Sequence, residues 1–230
     1  MFKDTLVVAI GTAISRLTGL LRVVVFGIII GQTALADAFD GANNSPNSIY
    51  ELLVGGLLAA SLVPLFTRFT EDNDEEATNA VVSVSLIVLG IATAVAIALA
   101  PLIFRLFSLH VSPLVDPQQF RHVGTVMTRI FLVQIFFYGL TAIASALLNA
   151  RRHFFAAAWC PVLSNIITIT MLLIIPFTRD GTPGLQDVLT DHTFFWLFTL
   201  SATGGVMAMG LVLIPALKKA KSSLKFTPNF

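Results

Sequence analysis

The chain has 230 residues, of which 56% are hydrophobic and only 12% are charged, and its formal net charge is +1. A typical soluble domain carries roughly 25% charged residues, so this composition, with a mean hydropathy of +0.85, indicates a polytopic membrane protein. The near-zero charge excludes nucleic acid as a partner, because phosphate backbones are bound by concentrated basic surfaces. The single cysteine, Cys160, excludes an intramolecular disulfide.

Six stretches of the chain are apolar and long enough to cross the hydrocarbon core, which takes roughly 20 helical residues. They run over 5–30, 36–66, 77–107, 123–150, 154–177 and 193–217. Most are separated by short polar connections that contain proline or glycine. The sequence therefore predicts an all-α bundle of six transmembrane helices over 1–217, followed by a basic cytoplasmic tail over 218–230.

The lysines and arginines of the connections predict the orientation, because cytoplasmic loops collect them. With the N-terminus in the cytoplasm, the outer side receives only Arg105, Arg121 and Arg179. The cytoplasmic side then receives Lys3, Arg68, Arg151, Arg152, Lys218, Lys219, Lys221 and Lys225. We therefore expect a multi-pass protein of the cytoplasmic membrane with both termini in the cytoplasm.

The first predicted helix contains two arginines, Arg16 and Arg22, inside the run "ISRLTGLLRVVVFGIII". An arginine at the bilayer centre costs on the order of 3 kcal/mol or more, so the pair predicts polar partners or a wet cavity. Gly11, Ser15, Thr18 and Arg22 follow the spacing of one helix face, and Arg16 lies beside it. The alternative for either arginine is that its side chain extends to the lipid headgroups.

The second predicted helix carries a polar stripe that would face the same cavity. Its members follow spacings of 3, 4, 3 and 4 residues and are Asp37, Asp40, Asn44, Asn47 and Glu51. We expect Glu51 to pair with an arginine of the first helix and Pro46 to kink the second. For Asp37 the alternative is an N-terminal helix cap.

The sequence shows no pattern of a catalytic or metal site. It contains no nucleophile and base grouping, no glycine-rich phosphate loop and no metal-ligand spacing of its four histidines. We therefore expect no enzyme activity, no metal and no cofactor. Charge gathered in a membrane cavity favours translocation of an anionic or amphiphilic substrate, and arginine suits pyrophosphate because its guanidinium group bonds two oxygens at once.

Stretches spread over nearly the whole chain resemble the MurJ (MviN) family of lipid II flippases, in the MOP exporter superfamily. They include "SRLTGLLR", "ADAFDGANNSPN" and "LLNARRHFFAAAWCPVLSNI". The resemblance implies transport of the undecaprenyl-pyrophosphate-linked peptidoglycan precursor by alternating access, in a cationic cavity between two lobes. By position, it assigns Arg16 and Arg22 to the pyrophosphate, Asp37 and Asn47 to polar positions of the second helix, and Gly27 to a small position lining the cavity.

The chain departs from that family at several positions and in length. Val23 stands where many members have an acid, and Tyr50 and Glu51 stand where many have an arginine. In length the chain resembles the N-terminal lobe alone. The implied partners are the lipid-linked pyrophosphate substrate, membrane lipids, and a missing C-terminal lobe or second chain. Two alternatives remain open: export of another polyprenyl-linked saccharide, and a non-transporting membrane scaffold of cell-wall synthesis.

Overall fold

The computed structural model describes residues 2–52, 58–109 and 111–220. Within these ranges the chain forms eleven helices and no strand. They are α1 (Phe2–Ile29), α2 (Ala34–Tyr50), α3 (Leu58–Glu71), α4 (Glu75–Ala98), α5 (Ala100–Phe107), α6 (Pro117–Phe131), α7 (Gln134–Ala150), α8 (Phe154–Thr178), α9 (Leu185–Thr190), α10 (His192–Leu211) and α11 (Leu213–Lys219). The prediction of an all-α polytopic membrane protein is confirmed.

Five stretches of the described residues are long and apolar enough to cross a membrane: 5–29, 75–98, 117–150, 154–178 and 192–219. They overlap five of the six predicted spans. The remaining predicted span, 36–66, passes through residues 53–57, which lie outside the described residues, so its continuity stays a prediction. Of the predicted basic tail, 221–230 also lie outside them, whereas residues 218 and 219 belong to α11.

Polar side chains outside the apolar runs fix where several helices begin. Thr33, Asp74, Asp116 and Asp191 precede α2, α4, α6 and α10, and each accepts a hydrogen bond from a backbone N–H two or three residues later. The distances run from 2.9 to 3.2 Å. Each such cap contributes about 1 kcal/mol, since a helix start leaves backbone donors without partners. The structure thus makes Thr33, and not Asp37, the cap of α2.

The apolar stretch 117–150 is interrupted between α6 and α7, at residues 132 and 133. There the N–H of Val133 bonds the carbonyl of Ile130 at 3.3 Å, and the N–H of Ile135 bonds that of Leu132 at 3.1 Å. Both bonds span three residues instead of four, so the helix tightens for one turn. The interruption places Gln134 at the start of α7.

Helix α8 packs along α1 on one side and along α10 on another. Gly205 allows α10 to approach α8 closely, because a Cβ atom at that position would lie 2.8 Å from the Ser164 carbonyl oxygen. A cluster of phenylalanines then joins three helices near the end of α1. Phe26 of α1 lies 4.9 Å from Phe39 of α2 between ring centroids, and Phe39 lies 4.7 Å from Phe198 of α10.

Candidate functional site

A polar cavity of about 550 Å³ opens among α1, α2, α7, α8 and α10. Arg22 and Asp40 are its charged lining residues. Its neutral polar lining consists of Ser15, Asn43, Asn47, Gln134, Tyr138, Ser164, Asn165 and Thr168. A space of this size and polarity inside a membrane bundle can hold a polar group that would be costly to place in lipid.

Arg22 supplies the positive charge of the cavity wall. It is exposed and lies on α1 next to Val23 and Phe26, which also line the cavity. Among the residues that the structure describes, Arg22 forms no ion pair; the two ion pairs recorded there join other residues. The guanidinium group can therefore offer its donors to an anionic ligand.

Helix α1 is held against α8 by Asn165, which is only 8% exposed. The Asn165 side-chain amide donates to the Ser15 carbonyl and to the Thr18 hydroxyl, both at 3.1 Å. Thr18 Oγ1 in turn donates to the carbonyl of Ile14 at 2.8 Å. These bonds fix the rotation of α1 so that Ser15 and Arg22, seven residues apart on one face, both border the cavity.

A second hydrogen-bonded group joins α2, α7 and α10 at the cavity wall. Gln134 is fully buried, and its side-chain amide donates to Asn43 and to Thr203, each at 3.3 Å. Its carbonyl oxygen accepts the Tyr138 hydroxyl at 3.3 Å. The sequence analysis assigned no role to Gln134, Asn43 or Tyr138, although a glutamine inside "IFLVQIFFYGL" is a visible signal of a buried polar partner.

The polar face of α2 differs from the predicted stripe. Asp40, Asn43 and Asn47 line the cavity, whereas Asn44 is exposed outside its lining. At 100° per residue, the stripe expected from the sequence is centred about 60° away from the face that borders the cavity. In the structure Asn43, and not the predicted neighbour Asn44, therefore lies on this wall of the cavity.

Four of the predicted site residues lie outside the lining of the cavity: Arg16, Gly27, Asp37 and Glu51. All four are exposed. Arg16 is directed about 120° away from Arg22 around α1, so the two do not share this cavity in the described structure. Glu51 forms no ion pair with Arg22 among the described residues. The assignment of the predicted residues to a substrate stays a prediction.

Comparison with known sequences decides the family. The profile of the family described as Lipid II flippase MurJ matches residues 26–230. This chain belongs to the MurJ family. The resemblance found in the sequence is thereby confirmed, and all the cavity residues of α2, α7, α8 and α10 fall inside the matched region.

Three curated MurJ relatives extend the comparison to most of the chain. The lipid II flippase MurJ of Burkholderia cenocepacia is 30% identical over 221 residues, which are 95% of this chain and 40% of the relative. The probable lipid II flippase MurJ of Rhizobium tropici is 27% identical, covering 100% of this chain and 43% of the relative. The probable lipid II flippase MurJ of Bdellovibrio bacteriovorus is 29% identical, covering 76% of this chain and 34% of the relative. The chain thus spans about two fifths of the length of the first two MurJ relatives.

Proposed function

We propose that the polar cavity binds the pyrophosphate head of lipid II, the lipid-linked peptidoglycan precursor, and that the chain is the N-terminal part of a flippase for it. One observation carries the proposal: Arg22 has no ion-pair partner among the described residues and lines a polar cavity between membrane helices. An anion in this cavity gains charge-assisted hydrogen bonds from a guanidinium group that no acidic side chain of the described residues already occupies. The names of the relatives identify lipid II as the anion to test first.

In this proposal Arg22 binds the pyrophosphate, and the neutral wall binds the groups attached to it. Asn43, Asn47 and Asn165 present amide donors and acceptors of the kind that sugar hydroxyl and acetamido groups require. Asp40 repels phosphate and is therefore proposed to accept hydrogen bonds from sugar hydroxyl groups. The cavity then distinguishes the two parts of one head group by charge.

We propose that the four predicted residues outside the cavity contact the substrate when a second surface encloses it. Arg16, Gly27, Asp37 and Glu51 are all exposed, so a C-terminal lobe or a second chain can approach them. Alternating access is proposed for that assembly, because enclosing a head group requires two opposed surfaces. We propose no catalytic step, since transport of this kind needs only binding and a change of exposure.

The proposed location is the cytoplasmic membrane, with both termini in the cytoplasm. The basic residues of the α7–α8 turn, Arg151 and Arg152, and of the end of α11, Lys218 and Lys219, support this orientation. The α7–α8 turn and the end of α11 also adjoin each other, because Arg151 Nη1 donates to the Ala220 carbonyl at 3.2 Å.

The test is binding of labelled lipid II to the purified chain in detergent micelles. Arg22→Ala should weaken binding about tenfold or more, because a hydrogen bond to a charged group contributes about 1.5–3 kcal/mol. Arg22→Lys should recover only part of the loss, since an ammonium group cannot form the two parallel bonds of a guanidinium group. Arg105→Ala is the matched control, because Arg105 is exposed outside the cavity. Wild-type affinity of Arg22→Ala would contradict the proposal.

Transport is tested separately, by reconstituting the chain in liposomes that contain labelled lipid II. We expect binding without sustained translocation, because the two opposed surfaces of alternating access are proposed for the larger assembly. Translocation by this chain alone, specific for lipid II, would show instead that copies of the chain supply both surfaces.

A further inference from the structure

A second pocket, of about 320 Å³, lies at one end of the bundle, between the α7–α8 turn, α11 and the first turns of α1. We call it the basic pocket. Three of its lining residues carry basic side chains: Arg152, His153 and Lys219. The other described lining residues are apolar and include Leu148 and Phe155, and none is acidic. Among the described residues that line it, the basic pocket therefore combines positive charge with an apolar wall and no acidic side chain.

The backbone at Arg152 adopts a conformation that usually belongs to glycine. Its φ is +61°, in the left-handed region. The N–H of His153 bonds the carbonyl of Leu148 at 2.8 Å, and the N–H of Arg151 bonds that of Leu147 at 3.2 Å. This is the end of a helix at which glycine is preferred, because a Cβ atom makes the left-handed conformation unfavourable. An arginine here works against local backbone preference, and its side chain lines the basic pocket.

The basic pocket lies where α8 enters its membrane-spanning stretch, which begins at residue 154. Phe155 is 63% exposed, and its ring stacks on that of Trp159 with centroids 5.5 Å apart. The exposed Phe155 ring at the start of this helix offers an apolar surface beside the basic side chains, so one ligand can contact both. A soluble anion would use only the basic side chains, whereas a phospholipid would use them and the apolar wall.

We propose that the basic pocket binds the phosphodiester headgroup of an anionic phospholipid from the adjacent leaflet. Arg152 and Lys219 contact the phosphate, and the first acyl carbons pack on Phe155. This binding is independent of the polar cavity, which is lined by none of these residues. In the proposed orientation the leaflet is the cytoplasmic one, where basic pockets between membrane helices are suited to acidic lipid headgroups.

The experiment measures lipid retention by the purified full chain in native mass spectrometry, with phosphatidylglycerol and phosphatidylcholine as the two probes. We expect the wild-type chain to prefer phosphatidylglycerol. Arg152→Gly and Lys219→Gln should each weaken phosphatidylglycerol binding about fivefold and leave phosphatidylcholine binding unchanged. Arg152→Gly is also expected to unfold at the same temperature as the wild type or higher, because glycine suits the backbone there.

Two control variants separate the basic pocket from general effects of charge and backbone. Lys218→Gln removes a neighbouring exposed charge outside the pocket, and Asn73→Gly relaxes another left-handed residue, at φ +53°, without a change of charge. Equal losses for Lys218→Gln and Lys219→Gln would overturn the proposal in favour of diffuse attraction. Equal retention of the two lipids by the wild type would also overturn it. Displacement of phosphatidylglycerol by equimolar inorganic phosphate would reassign the basic pocket to a free anion.

Discussion

Adding one methyl group at Gly205 should push α8 and α10 apart, whereas the same change at Gly204 should not. A Cβ atom at Gly205 would lie 2.8 Å from the Ser164 carbonyl oxygen and 3.0 Å from Thr168 Oγ1, whereas ordinary contacts begin at 3.4 Å. The helices would have to separate by about 0.6 Å, and overpacking of this kind costs about 1–3 kcal/mol. At Gly204 the nearest atom is Met171 Cε at 3.6 Å, so alanine fits.

The separation should also reach the polar cavity, because Ser164 and Thr168 line it. Thr168 Oγ1 now donates to the Ser201 carbonyl at 2.7 Å, across the same helix pair. We expect Gly205→Ala to lower the free energy of unfolding, measured by denaturant titration, by about 1–3 kcal/mol and to weaken lipid II binding. Gly204→Ala should be neutral or stabilising by up to about 1 kcal/mol, the helix-propensity difference between glycine and alanine. Equal stabilities for the two variants would refute the steric reasoning.

Three further predictions concern the hydrogen bonds and the ion pair that support the bundle. Asn165→Ala should lower the free energy of unfolding by about 1 kcal/mol, since it removes two interhelical bonds; an unchanged denaturation midpoint would contradict this. Gln134→Leu should remove the hydrogen bond to Asn43 and therefore speed amide hydrogen exchange at the start of α7. Exchange rates equal to those of the wild type would show that the Gln134 side chain does not stabilise this end of α7. In the α8–α10 connection, burial raises the pKa of Asp187, but the Gly184 N–H and Arg179, 2.9 Å away, outweigh it and hold the pKa below its usual value. The carboxylate therefore stabilises the fold fully above its unfolded pKa of about 3.9, and this stabilisation is lost as the pH falls through the lower folded pKa. Asp187→Asn should consequently make the melting temperature fall less steeply at acid pH than it does in the wild type. An unchanged dependence of the melting temperature on acid pH would disprove the assignment.

The face of α1 was predictable because it depends on a single straight helix. Ser15 and Arg22 line the polar cavity, and Thr18 bonds α8, as the spacing along one face indicates. Charge and small side chains in an otherwise apolar run were enough to find that face, since lipid would penalise them. No knowledge of neighbouring helices was needed.

The face of α2 was not predictable to the same accuracy, because two polar stripes overlap in its sequence. Asn43 and Asn44 are adjacent, and both fit a helical spacing with Asp40 and Asn47. Which stripe borders the cavity depends on how the buried Phe39 packs against α1 and α10. That packing joins residues far apart in the chain.

The role of Gln134 required the same kind of distant information. Its partners Asn43 and Thr203 lie 91 and 69 residues away, so no local pattern could identify them. The interruption before α7 was also missed, because it contains neither proline nor glycine. The sequence therefore predicted five of the membrane spans and the face of α1 that carries Arg22, but not the hydrogen bonds that join the helices.

The position of the positive charge in the polar cavity depends on the rotation of one helix. Arg22 lies on α1, which in the described structure packs along α8 and meets α2 and α10 mainly through Phe26. With side chains at a radius of about 5–6 Å, a turn of α1 by about 20° would carry the guanidinium group about 2 Å around the axis. The hydrogen bonds that Asn165 donates to α1 oppose such a turn, so a neutral asparagine on α8 determines where the positive charge lies on the cavity wall.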